Sequence, residues 1–270
     1  MVKVALIQVN AGSDRRRNLD RVLHLALQAV RHQAEFILLP EVFSFRGKPD
    51  PKTGYQKFAE SIPGPSTVPL MILARAHKVF ILAGSLYEKS PGTRQKVFNT
   101  SVLINDQGKV QAKYRKIHLF NARLKGKSIN ESKVLLAGKS PVTTNICGFK
   151  VGMSICYDLR FPELYQRYQK AGVDILVVPS SFTKTTGLTH WEILLRARAI
   201  ENLCYVLAPN QFGITPSGTA TYGNSMAIDP WGRVLARAGG NREEVLYATL
   251  HKKALVESRQ KLPGINSPNN

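Results

Sequence analysis

Glu41, Lys116 and Cys156 are residue types that together could break an acyl bond. A thiol is a poor nucleophile until it loses its proton, so it needs a neighbouring base or cation. A carboxylate poised beside it could take that proton and later return it to departing ammonia. A lysine ammonium could hold the charge that builds on the carbonyl oxygen. A backbone N–H just after the cysteine could supply a second donor to that oxyanion. The sequence of events would be attack, loss of ammonia, a thioester, and hydrolysis by water. Each residue taken alone has a plainer reading: a small core thiol, a solvated loop carboxylate, one more surface cation.

All three stand at the ends of apolar runs. Glu41 follows Phe36-Ile37-Leu38-Leu39-Pro40, Lys116 follows the Val110–Tyr114 segment, and Cys156 ends Val151-Gly152-Met153-Ser154-Ile155. The elements that would carry them begin with an apolar run at residues 2–9. A helix is expected from Asn18 to about Gln33, with Val22, Leu25, Ala26, Ala29 and Val30 forming one buried stripe. Phe36–Leu39 then reads as a strand, so the chain opens in βαβ fashion and favours an α/β class. Further on, Ser66 is placed to cap a helix reaching about His77. Strands are expected at Val79–Leu86, Val97–Ile104 and Val110–Tyr114, the last two joined by an Asn105-Asp106-Gln107-Gly108 turn. Phe149–Ile155 reads as a strand, Pro162 as the first turn of a helix to about Lys170, and Asp174–Val178 as another strand. Trp191–Asn202 reads as a helix with Ile193, Leu194, Ala197 and Ile200 on one face. Later strands are expected at 203–208, 222–228, 233–236 and 245–250, with a tight turn at Asp229-Pro230-Trp231-Gly232. Many strands among few helices imply large sheets with helices stacked outside them. In open α/β sheets, sites gather beyond the carboxyl ends of strands, where these three side chains could converge.

The 270 residues, 43% hydrophobic, suffice for one large core, and no linker or composition step divides residues 1–270. The opening MVKVALIQVN turns polar at Gln8, so it reads as a first strand rather than a secretory signal. No stretch approaches the roughly 18 apolar residues of a membrane span. No membrane is therefore expected, and a cytoplasmic location is. Cys147, Cys156 and Cys204 are an odd, widely spaced set without zinc spacing, and the six His are scattered. Neither disulfides nor metal are expected, and in a reducing compartment a lone thiol becomes a candidate for chemistry. Cys147 and Cys204 are read as core. The net charge of +20 points to anionic partners in principle, and a basic nucleic-acid-binding protein is the rival of another class. The basic residues are spread thinly, with Arg15–Arg17 the one run of three, which weighs against nucleic acid.

The wording around the three residues goes further. LLPE (38–41), KYRKIHLF (113–120) and ICYDLRFPEL (155–164) resemble the Glu-Lys-Cys segments of the nitrilase superfamily of carbon–nitrogen hydrolases. The similarity continues through PSSFTKTTGLTHWEILLRARAIENLCYVLAPNQ (179–211) to NSMAIDPWG (224–232). It implies Glu41 as general base, Lys116 as transition-state stabiliser and Cys156 as nucleophile. It also points to Glu131, in NESKVLLAG (130–138), as a second active-site carboxylate that orients Lys116 or assists substrate positioning. It implies a four-layer α-β-β-α sandwich, and a homodimer or larger assembly joined by helices such as 162–170 and 190–202. CYDLRFPEL is similar to the amidase branch that includes omega-amidase and deaminated glutathione amidase, while Tyr157-Asp158 argues against nitrilases and carbamoylases. The FTKTTG…HWE segment is closer to the deaminated glutathione amidase side.

The expected substrate is thus a small amide carrying a carboxylate, with the same triad acting on a nitrile or N-carbamoyl compound as the alternative. Arg160 is a candidate carboxylate partner and equally a structural salt-bridge residue. Tyr157, Ser181, Phe182 and Thr186 are candidate pocket residues, with Ser180 beside them. His118, His190 and Trp191 are read as structural. No cofactor is expected, because thiol, base, ammonium and water suffice. HLFNARLKGKSINES (118–132) departs from the branch, carrying Asn121 and a basic stretch where acidic residues and a Gly/Pro turn are usual.

Overall fold

The computed structural model describes residues 1–93, 95–124 and 127–263; Lys125 and Gly126 of the basic stretch lie outside them. The first half of the chain supplies β1 (Val2–Gln8), α1 (Arg15–Arg31), β2 (Phe36–Leu38), α2 (Val68–His77), β3 (Phe80–Glu88), β4 (Val97–Ile104) and β5 (Val110–Arg115). The first sheet runs Glu244–Leu250, β1, β2, β3, β4, β5, with Leu135–Leu136 also paired to β4. β1, β2 and β3 are mutually parallel, and β4 and β5 each reverse direction. β2 and β5 therefore point the same way and end on the same edge. The second sheet runs Val234–Arg237, Met226–Ile228, Tyr205–Ala208, Ile175–Val177, Phe149–Met153, Val142–Ile146. Its three strands Phe149–Met153, Ile175–Val177 and Tyr205–Ala208 are parallel.

Strand periodicity sets the layers, because successive side chains point to opposite faces. Val4 and Leu6 of β1 and Phe36 and Leu38 of β2 share a buried cluster with Met153 and Val177 of the second sheet. The intervening Ala5, Ile7 and Ile37 pack instead against Val22, Leu25, Ala26 and Ala29 of α1 and Leu70 and Leu73 of α2. On the far side, Leu164, Tyr165 and Tyr168 of α3 (Pro162–Lys170) and Leu195 and Ala199 of the Glu192–Asn202 helix cover the second sheet. The result is the expected α-β-β-α stack, held by burial of apolar area at three interfaces.

Several expected boundaries shift for identifiable reasons. α1 begins at Arg15 rather than Asn18, because the Asp14 carboxylate caps it by accepting from the Arg17 N–H at 3.1 Å. α2 begins at Val68, not after Ser66; the Ser66 N–H is taken by the buried Glu60 carboxylate at 2.7 Å. A π-helical turn, Gly187–Trp191, leads into the Glu192–Asn202 helix. Leu195, Arg198, Ala199 and Asn202 point inward, while Ile193 and Ile200, expected on one buried face, are exposed. Cys147 is not core: it lies exposed in the turn between Val142–Ile146 and Phe149–Met153, with φ 49°. Cys204 is buried as expected. The Val142–Ile146 strand, the Lys252–Lys261 helix and two hairpins, Asn121–Leu124 with Lys127–Asn130 and Phe212–Ile214 with Ala220–Tyr222, were not anticipated.

One close approach within the first sheet depends on Gly84. A Cβ there would lie 2.1 Å from the carbonyl oxygens of Leu39 and Pro40. Only glycine lets β3 approach the segment carrying Glu41 so closely.

Candidate active site

Glu41 lies three residues beyond β2, and its backbone is clamped from three directions. The Leu39 N–H donates to the Leu82 carbonyl at 2.9 Å, and the Val42 N–H donates to Ser85 Oγ at 2.9 Å. Gln211 Nε2 donates to the Glu41 carbonyl at 3.0 Å. The carboxylate is buried and accepts from Asn99 Nδ2 (2.9 Å) and Lys116 Nζ (2.9 Å) at Oε1, and from the Ser181 N–H (2.8 Å) at Oε2. Lys116 directly follows β5 and is 1% exposed. Its N–H donates to the Asn99 carbonyl at 2.9 Å and its carbonyl accepts from Gly138 at 2.8 Å, so its backbone is fixed as firmly as its side chain. Its ammonium also meets Glu131, 3.1 Å from Oε1 and 3.0 Å from Oε2, while the Phe120 N–H holds Glu131 Oε2 at 2.8 Å.

Cys156 belongs to the other sheet, three residues past Phe149–Met153. It adopts φ 48°, a left-handed conformation uncommon for a side chain with a Cβ. Its N–H donates to the Pro179 carbonyl at 3.0 Å, tying the turn to the end of the adjacent strand. Asp158 bolts the two sheets together at this point. Fully buried, its carboxylate accepts from the Ile155 N–H (2.9 Å), Tyr114 Oη (2.7 Å) and the His118 N–H (2.9 Å). His118 Nδ1 lies 2.8 Å from Asp158 Oδ1, and the imidazole stacks on Phe161 with ring centroids 3.7 Å apart. The cysteine turn is thereby braced against the segment that carries Lys116.

The electrostatics follow from burial. Burial, and after it the Glu41 carboxylate, holds the Cys156 thiol well above the usual thiol range, with Lys116 pulling the other way. The Ser181 amide, like Lys116, works to lower the thiol. At neutral pH the sulfur is thus protonated and shares its cavity with a carboxylate. For Lys116, burial opposes the charge, but Glu131 and Glu41 outweigh it and raise the ammonium above its ordinary range. Burial raises the Glu131 carboxyl, with Lys116 acting against it. Glu41, Lys116, Glu131 and Cys156 all border one cavity of about 150 Å³.

A family model described as Carbon-nitrogen hydrolase matches residues 3–260. The chain belongs to the carbon-nitrogen hydrolase family. It is 38% identical over 262 residues to "Omega-amidase NIT2" of Mus musculus, covering 97% of this chain and 92% of that protein. It is also 38% identical over 264 residues to "Deaminated glutathione amidase" of Synechocystis sp. (strain PCC 6803 / GT-S), covering 97% and 96%. Among solved structures, the C. elegans NitFhit protein superposes with a TM-score of 0.90 at 34% identity over 97% of this chain. The chain spans 64% of that nematode protein. The protein is therefore an enzyme that acts on carbon–nitrogen bonds, and its expected fold is the one it has.

The remaining candidate residues of this carbon-nitrogen hydrolase are spread around the sulfur. Tyr157, Arg160, Phe182 and Thr186 line a second, smaller cavity of about 20 Å³, and Cys156 and Ser181 border both. The polar partner of Arg160 is His190 Nδ1 at 3.1 Å rather than an acid, and its guanidinium lies over Phe182, 5.3 Å from the centroid. Ser180 is buried, its hydroxyl turned back to the Val178 carbonyl at 2.9 Å. Trp191 is packed, with Nε1 on the Asn224 carbonyl at 2.8 Å. Residues that sequence reasoning missed are Asn99 and Gln211, which position Glu41, and Arg46, Tyr55, Tyr87 and the Phe212–Tyr222 hairpin, which border the cavity. Arg46 carried a faint signal, a lone cation after the apolar-rich Val42-Phe43-Ser44-Phe45.

Proposed function

We propose that this hydrolase cleaves the terminal amide of a small carboxylated substrate through a thioester on Cys156. As Sγ attacks the amide carbon, Glu41 takes the thiol proton, and the carbonyl electrons move onto oxygen. Lys116 Nζ and the Tyr157 N–H hold that oxyanion. Collapse breaks the C–N bond, and Glu41 returns the proton to the leaving nitrogen, which departs as ammonia. Water, deprotonated by Glu41, then attacks the thioester, the carboxylic acid leaves, and the thiol is restored. Glu131 keeps Lys116 charged and aimed.

The observation that carries this reading is a protonated thiol sharing one cavity with a carboxylate that bonds a buried ammonium. The names of the mouse and Synechocystis relatives favour amides over nitriles or ureides. A panel of half-amides, nitriles and N-carbamoyl compounds, with ammonia measured and intact protein mass recorded under rapid quench, tests it. Half-amides should release ammonia, and the acyl mass should map to the Cys156 peptide. Ammonia from nitriles alone would overturn the choice of bond.

The same reading extends to the whole protein. Residues 1–270 act as one domain, and free thiols suit the reducing cytoplasm. Among the described residues no helix is long and apolar enough to cross a membrane. Leu188, Ile193 and Ile200 are 65%, 69% and 44% exposed on the outer face of the second sheet's helices. Such an apolar face favours self-association through residues 187–202 and α3. Light scattering at tens of micromolar protein should return at least twice the 30.0 kDa chain mass. A monomer under those conditions would count against the assembly.

A further inference from the structure

Arg46 is a buried cation with no carboxylate in contact with it among the described residues. It is 5% exposed, and its guanidinium donates only to neutral acceptors. Nη1 reaches Gln211 Oε1 at 2.8 Å and the Phe212 carbonyl at 3.5 Å, Nη2 reaches Thr221 Oγ1 at 3.1 Å, and Nε has no partner. Among the described residues it makes no ion pair. Lys116, buried to a similar degree, has two carboxylates against its ammonium. Burial lowers the Arg46 pKa to about 10, with the Glu41 carboxylate acting against it, so the charge remains at neutral pH. A buried charge without a directly paired counter-charge is costly, and a ligand can supply one.

Its place in the fold says which ligand. Arg46 borders the cavity that holds Cys156, beside Thr183, Thr215, Ser217, Thr219 and Thr221. That wall is hydroxyl-rich and carries no acid. The acids on the cavity, Glu41 and Glu131, both face Lys116 instead. The cavity thus holds the reacting groups and, on the same lining, a guanidinium and several hydroxyls not engaged by those acids. A planar carboxylate suits that fork. Arg160, the cation suggested by the sequence, is engaged by His190 and aromatic rings.

We infer that Arg46 is the specificity-determining residue that receives the free carboxylate of the substrate, in the cavity where Cys156 meets the scissile amide. This assignment rests on the proposed amidase activity. A purely structural role is the rival, since Arg46 holds Gln211 and Gln211 holds the Glu41 carbonyl. That role would lower turnover of every amide alike.

The test compares kcat/KM for succinamate with that for isocaproamide, in which an isopropyl group replaces the carboxylate. In Arg46→Met the preference for succinamate should fall by about 10- to 100-fold, chiefly through KM, as expected for losing hydrogen bonds to a charged group. Arg46→Lys should recover part of the preference. Equal losses on both substrates, or an unchanged ratio, would overturn the assignment. A binding measurement is independent of turnover: in Cys156→Ser protein, calorimetry should show the Kd for succinamate rising by a similar factor when Arg46→Met is added. An unchanged Kd would also overturn it. If the unsubstituted enzyme hydrolyses isocaproamide as well as succinamate, or neither, the substrate reading fails instead, and the calorimetry still decides Arg46.

Discussion

Cys156→Ala will lower amide turnover by about five orders of magnitude or more, the scale on which nucleophiles that act as one unit with their base are lost. Without Sγ no thioester forms, and among the described residues no other thiol borders the cavity around Glu41 and Lys116. Cys204 is buried elsewhere in the core, and Cys147 lies on an exposed turn. The fold should survive, because the change removes one buried sulfur and leaves the Cys156 N–H on Pro179 and Asp158 on Ile155. Initial-rate ammonia release together with a thermal melt checks both halves. A near-normal rate in a folded Cys156→Ala protein would refute the nucleophile, and Cys156→Ser serves as a second variant of closer size.

Glu41→Gln should cost about three orders of magnitude or more, and it should change how the sulfur responds to pH. In the proposed mechanism the thiol passes its proton to Glu41 as it attacks, so reaction does not wait for solvent to ionise it. Burial is first among the influences that raise the thiol, and burial remains after the substitution. Only the thiolate reacts, and below a raised pKa its fraction grows tenfold per pH unit. Alkylation of the Cys156 peptide in Glu41→Gln should therefore be slow at neutral pH and climb with that slope beyond the ordinary thiol range. A plateau near pH 8.5, roughly the unperturbed value, would show that burial does not hold this thiol up once Glu41 is neutral. Stability should fall by about 2 kcal/mol, because Lys116 loses one charged acceptor and keeps Glu131.

The three central residues were legible because each ends an apolar run, and strand ends are where chemistry collects in such sheets. Glu131 was not readable that way. It sits in a short 3-10 turn, and its place beside Lys116 came from the wording of the surrounding segment. Arg46, Asn99 and Gln211 were missed for one physical reason: their roles lie in contacts distant in sequence. Arg46 meets Gln211 across 165 positions and Gln211 meets Glu41 across 170, separations that no local pattern encodes. The outward-facing Ile193 and Ile200 were misplaced because the inward face of that helix carries two polar residues, Arg198 and Asn202, which an apolar stripe does not reveal. Arg198 Nη2 donates to the Leu159 carbonyl and Asn202 Nδ2 to the Arg198 carbonyl, so both are buried with partners. Cys147 misled for the opposite reason, as a two-residue reversal hidden inside an apolar-looking stretch.

The Glu41 carboxylate and the Lys116 ammonium ride on one layer, while the Cys156 sulfur and the Ser181 amide ride on the other. The proposed reacting groups therefore meet only across the seam between the sheets, and neither half of the chain holds all of them. A shift of about 1 Å in such a constellation can cost two orders of magnitude in rate. Leu38 and Met153, which pack in that seam and touch no substrate, thus act as the shims of the machine. The Asp158 carboxylate, gripping Tyr114 and His118 from across the gap, is the pin that keeps its two jaws aligned.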